Sequence, residues 1–478
     1  MEKIIDSIIG KNLVPSYPLF ILTVLQTLEL FPSENFEQST QGHYYDVLIK
    51  SALGKKITNN KEIERHYTYL KELSYYMYSR ETDKLTEEEF IEFHNQFVKD
   101  FNLHKNGLVS TLEVFCETNI LYKNGEGYKF KYDYINYYFL GKYLADNLDD
   151  EEIRKIIIHL ADNIYNSKNA NIYLFLSHHS KADFITNTIL DSAKSLFSSE
   201  TILNFDTDIA SINKLITSTS QKLALDKSKS HEDYKNEELE RREKIEDEKK
   251  LHSNDKDDFN TIDYVSEINK SFKTLEILGL ILKNRYASLK SKPKESVAEE
   301  VYFLGLRTTA SIFKTLIEGE EYVVKEIISI IGEDKTISAH EKEDLAKKIM
   351  FNMYYMTAYS TIKKISNSIA TKDLELTFQD VLEKNKGNNA ISLIDISNKL
   401  DYSHQFPFDD VNSLKTQFKN NKFPYLIMRR LAFNYLRMFP IREKEQQRIC
   451  SMLEIPIDVQ RRVEMTSTTK RVGKKRTK

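Results

Sequence analysis

The sequence predicts a mainly α-helical chain with one small β-hairpin. Three observations carry that prediction. The 478 residues include only 13 Gly and 8 Pro, too few turn residues for a β-rich fold, a collagen-like repeat or Pro/Gly-rich disorder. Apolar residues recur at helical spacing through most of the length. Strand-like alternation is clear in one place alone, residues 119–132.

The first helix is expected over residues 12–31, with Ser16 as cap and Pro18 in the first turn. Residues 34–61 have weaker periodicity. A second helix is expected from Glu62 to Tyr78, where Ile63, Tyr67, Leu70 and Ser74 form a stripe that Tyr69, Leu73, Tyr76 and Met77 widen. Thr86 and Glu89 have the spacing of a capping box, starting a helix through Phe90, Phe93, Phe97 and Val98. A short helix is expected over Thr111–Thr118. Then Asn119–Lys123 and Tyr128–Tyr132 flank Asn124, Gly125, Glu126 and Gly127, and read as a hairpin. A helix follows at once, Asp133–Leu148. Helices, one small hairpin and a further helix point to a winged helix.

Beyond Asp149 the pattern is helical, with segments at Glu151–Tyr165, Ile172–Leu176 and Phe184–Phe197. Lys222–Asp258 is dense in Glu, Lys, Asp and Arg, and is expected to be a charged linker or solvated helix. Further helices are expected at Ile268–Leu289, Val297–Ile317, Leu345–Ile369, Ala390–Leu400 and Tyr425–Phe439. Val297–Ile317 has apolar stripes on two faces, so it belongs between other helices. The last residues, 466–478, are polar and basic and are expected to be a disordered tail.

Composition excludes several functional classes. With 40% hydrophobic and 29% charged residues and a net charge of −3, the chain has the makings of a large core and no global field toward nucleic acid or membrane. Cys116 and Cys450 give neither a disulfide framework nor a zinc spacing. Leu19–Leu28 is too short to span a bilayer, and the start lacks a secretory pattern. The cytoplasm is therefore expected. P-loop, GxGxxG, HExxH, GxSxG and CxxC motifs are all missing. His178 and His179 are read as a helix-end pair satisfying backbone carbonyls. Arg429, Arg430, Arg437 and Arg442 are read on one side of a helix opposite Met428, Leu431, Tyr435 and Met438. With the basic tail they form a candidate phosphate-contacting face, weighed against a plain solvated face.

Three stretches together resemble one family. Residues 12–21 (NLVPSYPLFI), then Phe130-Lys131-Tyr132 followed by residues 137–145 (YYFLGKYLA), then residues 271–279 (SFKTLEILG) with 283–286 (KNRY) and 304–307 (LGLR), are similar to the region after the ATPase core of bacterial STAND NTPases. These are NACHT-like, NLR-related defence proteins. The resemblance implies a small helical region over 1–60 following an absent ATPase core, a winged-helix domain over 61–150 and a helical domain over 151–221. It also implies a linker over 222–258, a C-terminal helical sensor over 259–465 and a tail over 466–478.

The resemblance further implies a non-catalytic regulatory and sensor half of an anti-phage NTPase. It would sense an invader component and switch an ATPase and effector module carried on the same gene product or an adjacent reading frame. Pro15 and Pro18 would lie near the nucleotide, with Tyr132 where many relatives carry a phosphate-contacting His. No cofactor is expected in this chain, ATP and Mg²⁺ belonging to the ATPase module; a phage protein or other invader ligand, and oligomerisation on activation, complete the expected partners. Two alternatives are a helical nucleic-acid-binding protein using the Arg429–Arg442 face and tail, and a HEPN-like ribonuclease through the Arg-x4-His spacing of Arg154 and His159.

Overall fold

The computed structural model describes residues 41–57, 59–103, 107–125, 127–209, 212–213, 233–234, 236–237, 240, 264–331, 338–402 and 405–456. Pro15, Pro18, the helix expected over 12–31 and the tail over 466–478 lie outside the described residues, as does most of 222–258. The protein is mainly α: the described residues form seventeen α-helices and one small three-stranded sheet. The chain divides into two compact units, Met1–Ser195 with Ile277–Leu289, and Leu196–Glu276 with Lys290–Lys478.

The first unit opens with helices α1 (Gln41–Gly54) and α2 (Asn60–Ser79), the latter capped by the Asn59 side chain on the Lys61 amide. Strand β1 (Leu85–Thr86) leads into α3 (Glu87–Asp100). Its capping box is the one expected: Thr86 Oγ1 accepts from the Glu89 amide, and the Glu89 carboxylate accepts from the Thr86 amide at 2.8 Å. That closes two amides a helix start leaves open. Helix α4 (Leu108–Glu117) precedes β2 (Leu121–Asn124) and β3 (Gly127–Phe130).

The hairpin is present, and the sequence reading missed its third strand. The sheet order is β1-β3-β2, all antiparallel, with Leu85 opposite Tyr128 and Leu121 opposite Phe130. Gly125 has φ 64° and turns the hairpin. Gly127 serves the third strand: a Cβ there would stand 2.5 Å from the Leu85 carbonyl oxygen. Helices α5 (Asp133–Asp146), α6 (Glu151–Asp162), α7 (Ser167–His179) and α8 (Asp183–Ser195) complete the unit, with the end of α9 (Tyr264–Arg285). Helices α5 and α7 pack closely at Gly141, where a Cβ would lie 2.8 Å from the Leu176 amide nitrogen.

The second unit contains the start of α9, then α10 (Ser291–Glu318), α11 (Glu320–Ile331) and α12 (Ala339–Ile369). After a 3-10 turn at Lys372–Leu374 come α13 (Glu375–Lys384), α14 (Asn389–Tyr402), α15 (Phe408–Gln417), α16 (Lys422–Met438) and α17 (Glu443–Met452). Much of α10 is enclosed, as its two stripes predict: Val301, Leu304, Thr308, Leu306 and Phe313 are buried, while Phe303 and Ala310 of the second stripe are half-buried. It crosses α9 and α12 closely at Gly305, whose added Cβ would meet Ile365 Cδ1 at 2.6 Å and Leu275 Cδ1 at 3.1 Å. Helix α14 is buried nearly throughout, from Ala390 to Leu400. No described helix is long and apolar enough to cross a membrane.

Candidate functional site

The candidate residue Tyr132 sits where the hairpin hands over to α5. Phe130 ends β3 with its ring in the core. Tyr132 is the N-cap residue with extended backbone, φ −134° and ψ 132°, and Asp133 places a carboxylate in the first turn, where the helix dipole favours it. The half-buried Tyr132 ring stacks on Tyr134, centroids 5.0 to 5.5 Å apart along a short ladder: Tyr132 to Tyr134 at 5.5 Å and 9°, Tyr134 to Tyr45 at 5.0 Å, Tyr45 to Phe175 at 5.0 Å edge-on. A ring at the edge of the unit is thus joined, ring by ring, to α1 and α7.

Beside that ladder lies a polar node at Asp46. Tyr138 donates to Asp46 Oδ1 at 2.8 Å, Tyr67 donates to the same carboxylate at 3.3 Å and to the Asp46 carbonyl at 3.1 Å, and Lys50 pairs with Oδ2 at 2.8 Å. Burial pushes the Asp46 carboxyl up, and the Lys50 and Tyr138 hydrogen bonds outweigh it, so its pKa falls below the ordinary carboxylate value. Burial raises the phenols of Tyr67 and Tyr138, so both stay protonated and act as donors. The node ties α1, α2 and α5 together. Nothing in the sequence reading found it, because its members are 21 and 92 residues apart.

His179 extends the same neighbourhood. Its Nε2–H donates to the Tyr138 carbonyl at 3.1 Å, and its ring lies 4.6 Å from the Tyr138 ring. Burial, then the neighbouring His178 and Lys142, push its pKa down to about 3, so the imidazole is neutral at physiological pH. His179 thus satisfies a backbone carbonyl, but one inside α5 and not at the end of its own helix as expected of the pair. Among the described residues no group of three or more His, Cys, Asp or Glu is placed to hold a metal ion.

Residues 83–140 match the family model "novel STAND NTPase 4". No curated protein and no solved structure matches the chain. The STAND-like segment begins just before β1 and ends within α5, so it contains the capping box, the whole sheet, Tyr132 and Tyr138. It overlaps the second of the three stretches that carry the sequence resemblance, taking in Phe130–Tyr132 and residues 137–140.

The remaining candidates lie outside residues 83–140. Arg154 donates from Nε to the Leu148 carbonyl at 2.8 Å, and its guanidinium lies 5.3 Å from the Phe184 ring. His159, on the same helix, meets Asn163 at 3.2 Å through Nδ1. A spacing of five turns the two side chains roughly 140° apart on a helix.

The arginine face needs one correction. Arg429, Arg430 and Arg437 lie on α16, and Arg442 does not. Pro440 forces Phe439 into extended backbone, φ −121° and ψ 139°, which ends the helix at Met438 and leaves Arg442 as N-cap of α17. The three on α16 are held within the unit. Arg429 donates to the Glu454 carbonyl at 2.8 Å, and Arg430 lies over the rings of Tyr359 and Phe433. Arg437 covers the buried Tyr234 at 4.0 Å and pairs with Glu237 at 3.8 Å. Tyr234 and Glu237 belong to the charged stretch 222–258, so that stretch has at least one buried anchor.

Proposed function

We propose that this chain is a regulatory and sensor part of a STAND-type defence NTPase, itself non-catalytic, that switches an ATPase and effector module on recognising an invader component. The observation that carries the reading is the coincidence of the STAND family match with a helix, strand, helix, helix, hairpin order over 60–130. With β1 added, that order supports the winged helix that the helices, one hairpin and following helix of the sequence led us to expect. The second unit, in which every regular element among the described residues is helical, fits the helical sensor of this reading.

In this reading Tyr132 faces the nucleotide-bearing module, and the aromatic ladder from Tyr132 to Phe175 is the route by which a displacement there reaches α1 and α7. A switch of this kind requires two states that a ligand biases differently. ATP and Mg²⁺ belong to the ATPase module, and a phage protein or comparable invader molecule is the trigger.

The experiment is ATP turnover by the purified chain, alone and with a STAND ATPase module from the same locus. The chain alone should show none, and the module's turnover should change when the chain is added. Turnover by the chain alone that disappears on mutating a residue within it would overturn the non-catalytic assignment.

A further inference from the structure

Helix α11 is at odds with its own sequence. Val323, Val324, Ile327, Ile328, Ile330 and Ile331 make up half of its 12 residues. β-branched residues are mediocre helix formers, so a short helix rich in them depends on burying its apolar side chains. The second unit does this incompletely. Val323, Val324, Ile327 and Ile328 are half-buried, Ile330 is 76% exposed and Tyr322 is 69% exposed. Isolated exposed apolar residues are ordinary on a surface, but two such residues on one face of a helix with no fully buried side chain over 320–330 are a different matter.

The outward face has a pattern of its own. Tyr322, Lys325, Glu326, Ser329 and Ile330 are all exposed and lie at spacings of three, four, seven and eight, which is one side of a helix. A positive and a negative charge sit next to each other at the centre, with a large apolar residue one turn to either side. Such a sequence is complementary to itself when reversed. With a two-fold axis between positions 325 and 326, Lys325 of each copy meets Glu326 of the other, and Tyr322 of each lies within one residue of opposing Ile330 of the other. An isologous interface requires that kind of reciprocity.

From this we infer that the outward face of α11 pairs antiparallel with α11 of a second copy of the chain. The inference is independent of the function proposed above. A 12-residue helix is about 18 Å long, so the contact falls below the about 1,200 Å² of a standard interface and makes a weak, concentration-dependent dimer.

Sedimentation velocity of the full chain across a range on the order of 10 to 500 µM tests it. Wild type should move toward dimer in the upper part of the range. Y322K/I330K should weaken association about tenfold or more by removing both apolar contacts. K325E and E326K should each weaken it severalfold by setting like charges opposite, whereas K325E/E326K, which restores opposite charges across the axis, should return it to about the wild-type level. Far-UV circular dichroism and the urea midpoint, unchanged in the charge variants, separate lost pairing from lost folding. A chain that stays monomeric throughout, a dimer indifferent to all four variants, or a double reversal that fails to restore association would each overturn the inference.

Discussion

The two units hold their helices together by different means. The first has an aromatic core: Tyr69 alone touches the rings of Phe93 at 5.1 Å, Phe97 at 4.7 Å and Phe115 at 5.7 Å, and among its polar bonds are those of Asp46 with two phenols, of Tyr69 with His94, and of the buried Arg285 with Thr186 and the Lys181 carbonyl. The second threads polar bonds between its helices. Thr309 donates to Thr361 at 2.9 Å, Asn398 donates to the Tyr302 oxygen at 2.6 Å, and Ser271 bonds Thr308; within α10, Glu300 and Arg307 add a buried ion pair at 2.6 Å. Ring burial is large and weakly directional. Buried hydrogen bonds fix the register of neighbouring helices and are costly when one partner is lost. The first unit should therefore be most sensitive to shape and the second to charge.

Urea unfolding of single variants breaks or sharpens that contrast. The largest effect is expected in the second unit. Arg307→Met strips the buried Glu300 carboxylate of its cation and should cost about 3–5 kcal/mol, the usual penalty for half of a buried pair. A loss under about 1 kcal/mol would mean that the pair contributes little to this core. Gly141→Ala in the first unit comes next, at about 2–3 kcal/mol, because the new Cβ meets the backbone of residues 175–176, which has no room to yield. Gly305→Ala in the second unit serves as its control. The Cβ there meets the end of the Ile365 side chain, which rotates more cheaply, and alanine gains about 1 kcal/mol of helix propensity, so the net change should be within about 1 kcal/mol of zero.

Asp46→Asn should cost about 1–2 kcal/mol near neutral pH through loss of the charge-assisted bonds to Lys50, Tyr138 and Tyr67. The sign with pH follows from the lowered pKa. Stability from this carboxylate is complete above its unfolded value, about 3.9, and is lost as pH falls through the lower folded value. Wild type and D46N should therefore converge below about pH 4, and a gap that widens on acidification would contradict the assignment. Apart from the near-neutral Gly305→Ala control, the smallest effect is Thr86→Ala, about 1 kcal/mol, from removal of one half of the capping box at α3.

Local chemistry was legible in the sequence, and distant chemistry was not. The Thr86–Glu89 box and the Gly125 turn are encoded within a few residues, and both stand where expected. The capping box of Ser338 and Glu341 at α12 has the same signature and went unread. Strand β1 is two residues long, too short for alternation to show, and exists because β3 lies beside it. Helix α11 was not expected, since a run of Val and Ile is not a strong helix signal. The four arginines looked like one solvated face, but Pro440 removes Arg442 from it, and aromatic rings and a carbonyl engage the others. Tyr132 was named through the family resemblance, at the position where many relatives carry a His. The Asp46 node beside its ladder depends on three helices meeting, which no local pattern encodes.

The central claim is that this chain regulates a STAND-type ATPase. The most direct measurement is affinity purification of the tagged protein from its native cells, with and without phage challenge, followed by mass spectrometry of everything retained. The account predicts a P-loop ATPase, on a separate polypeptide or on a longer form of the same one, recovered in amounts comparable to the chain itself. Recovery of the chain under both conditions without any P-loop ATPase would contradict it.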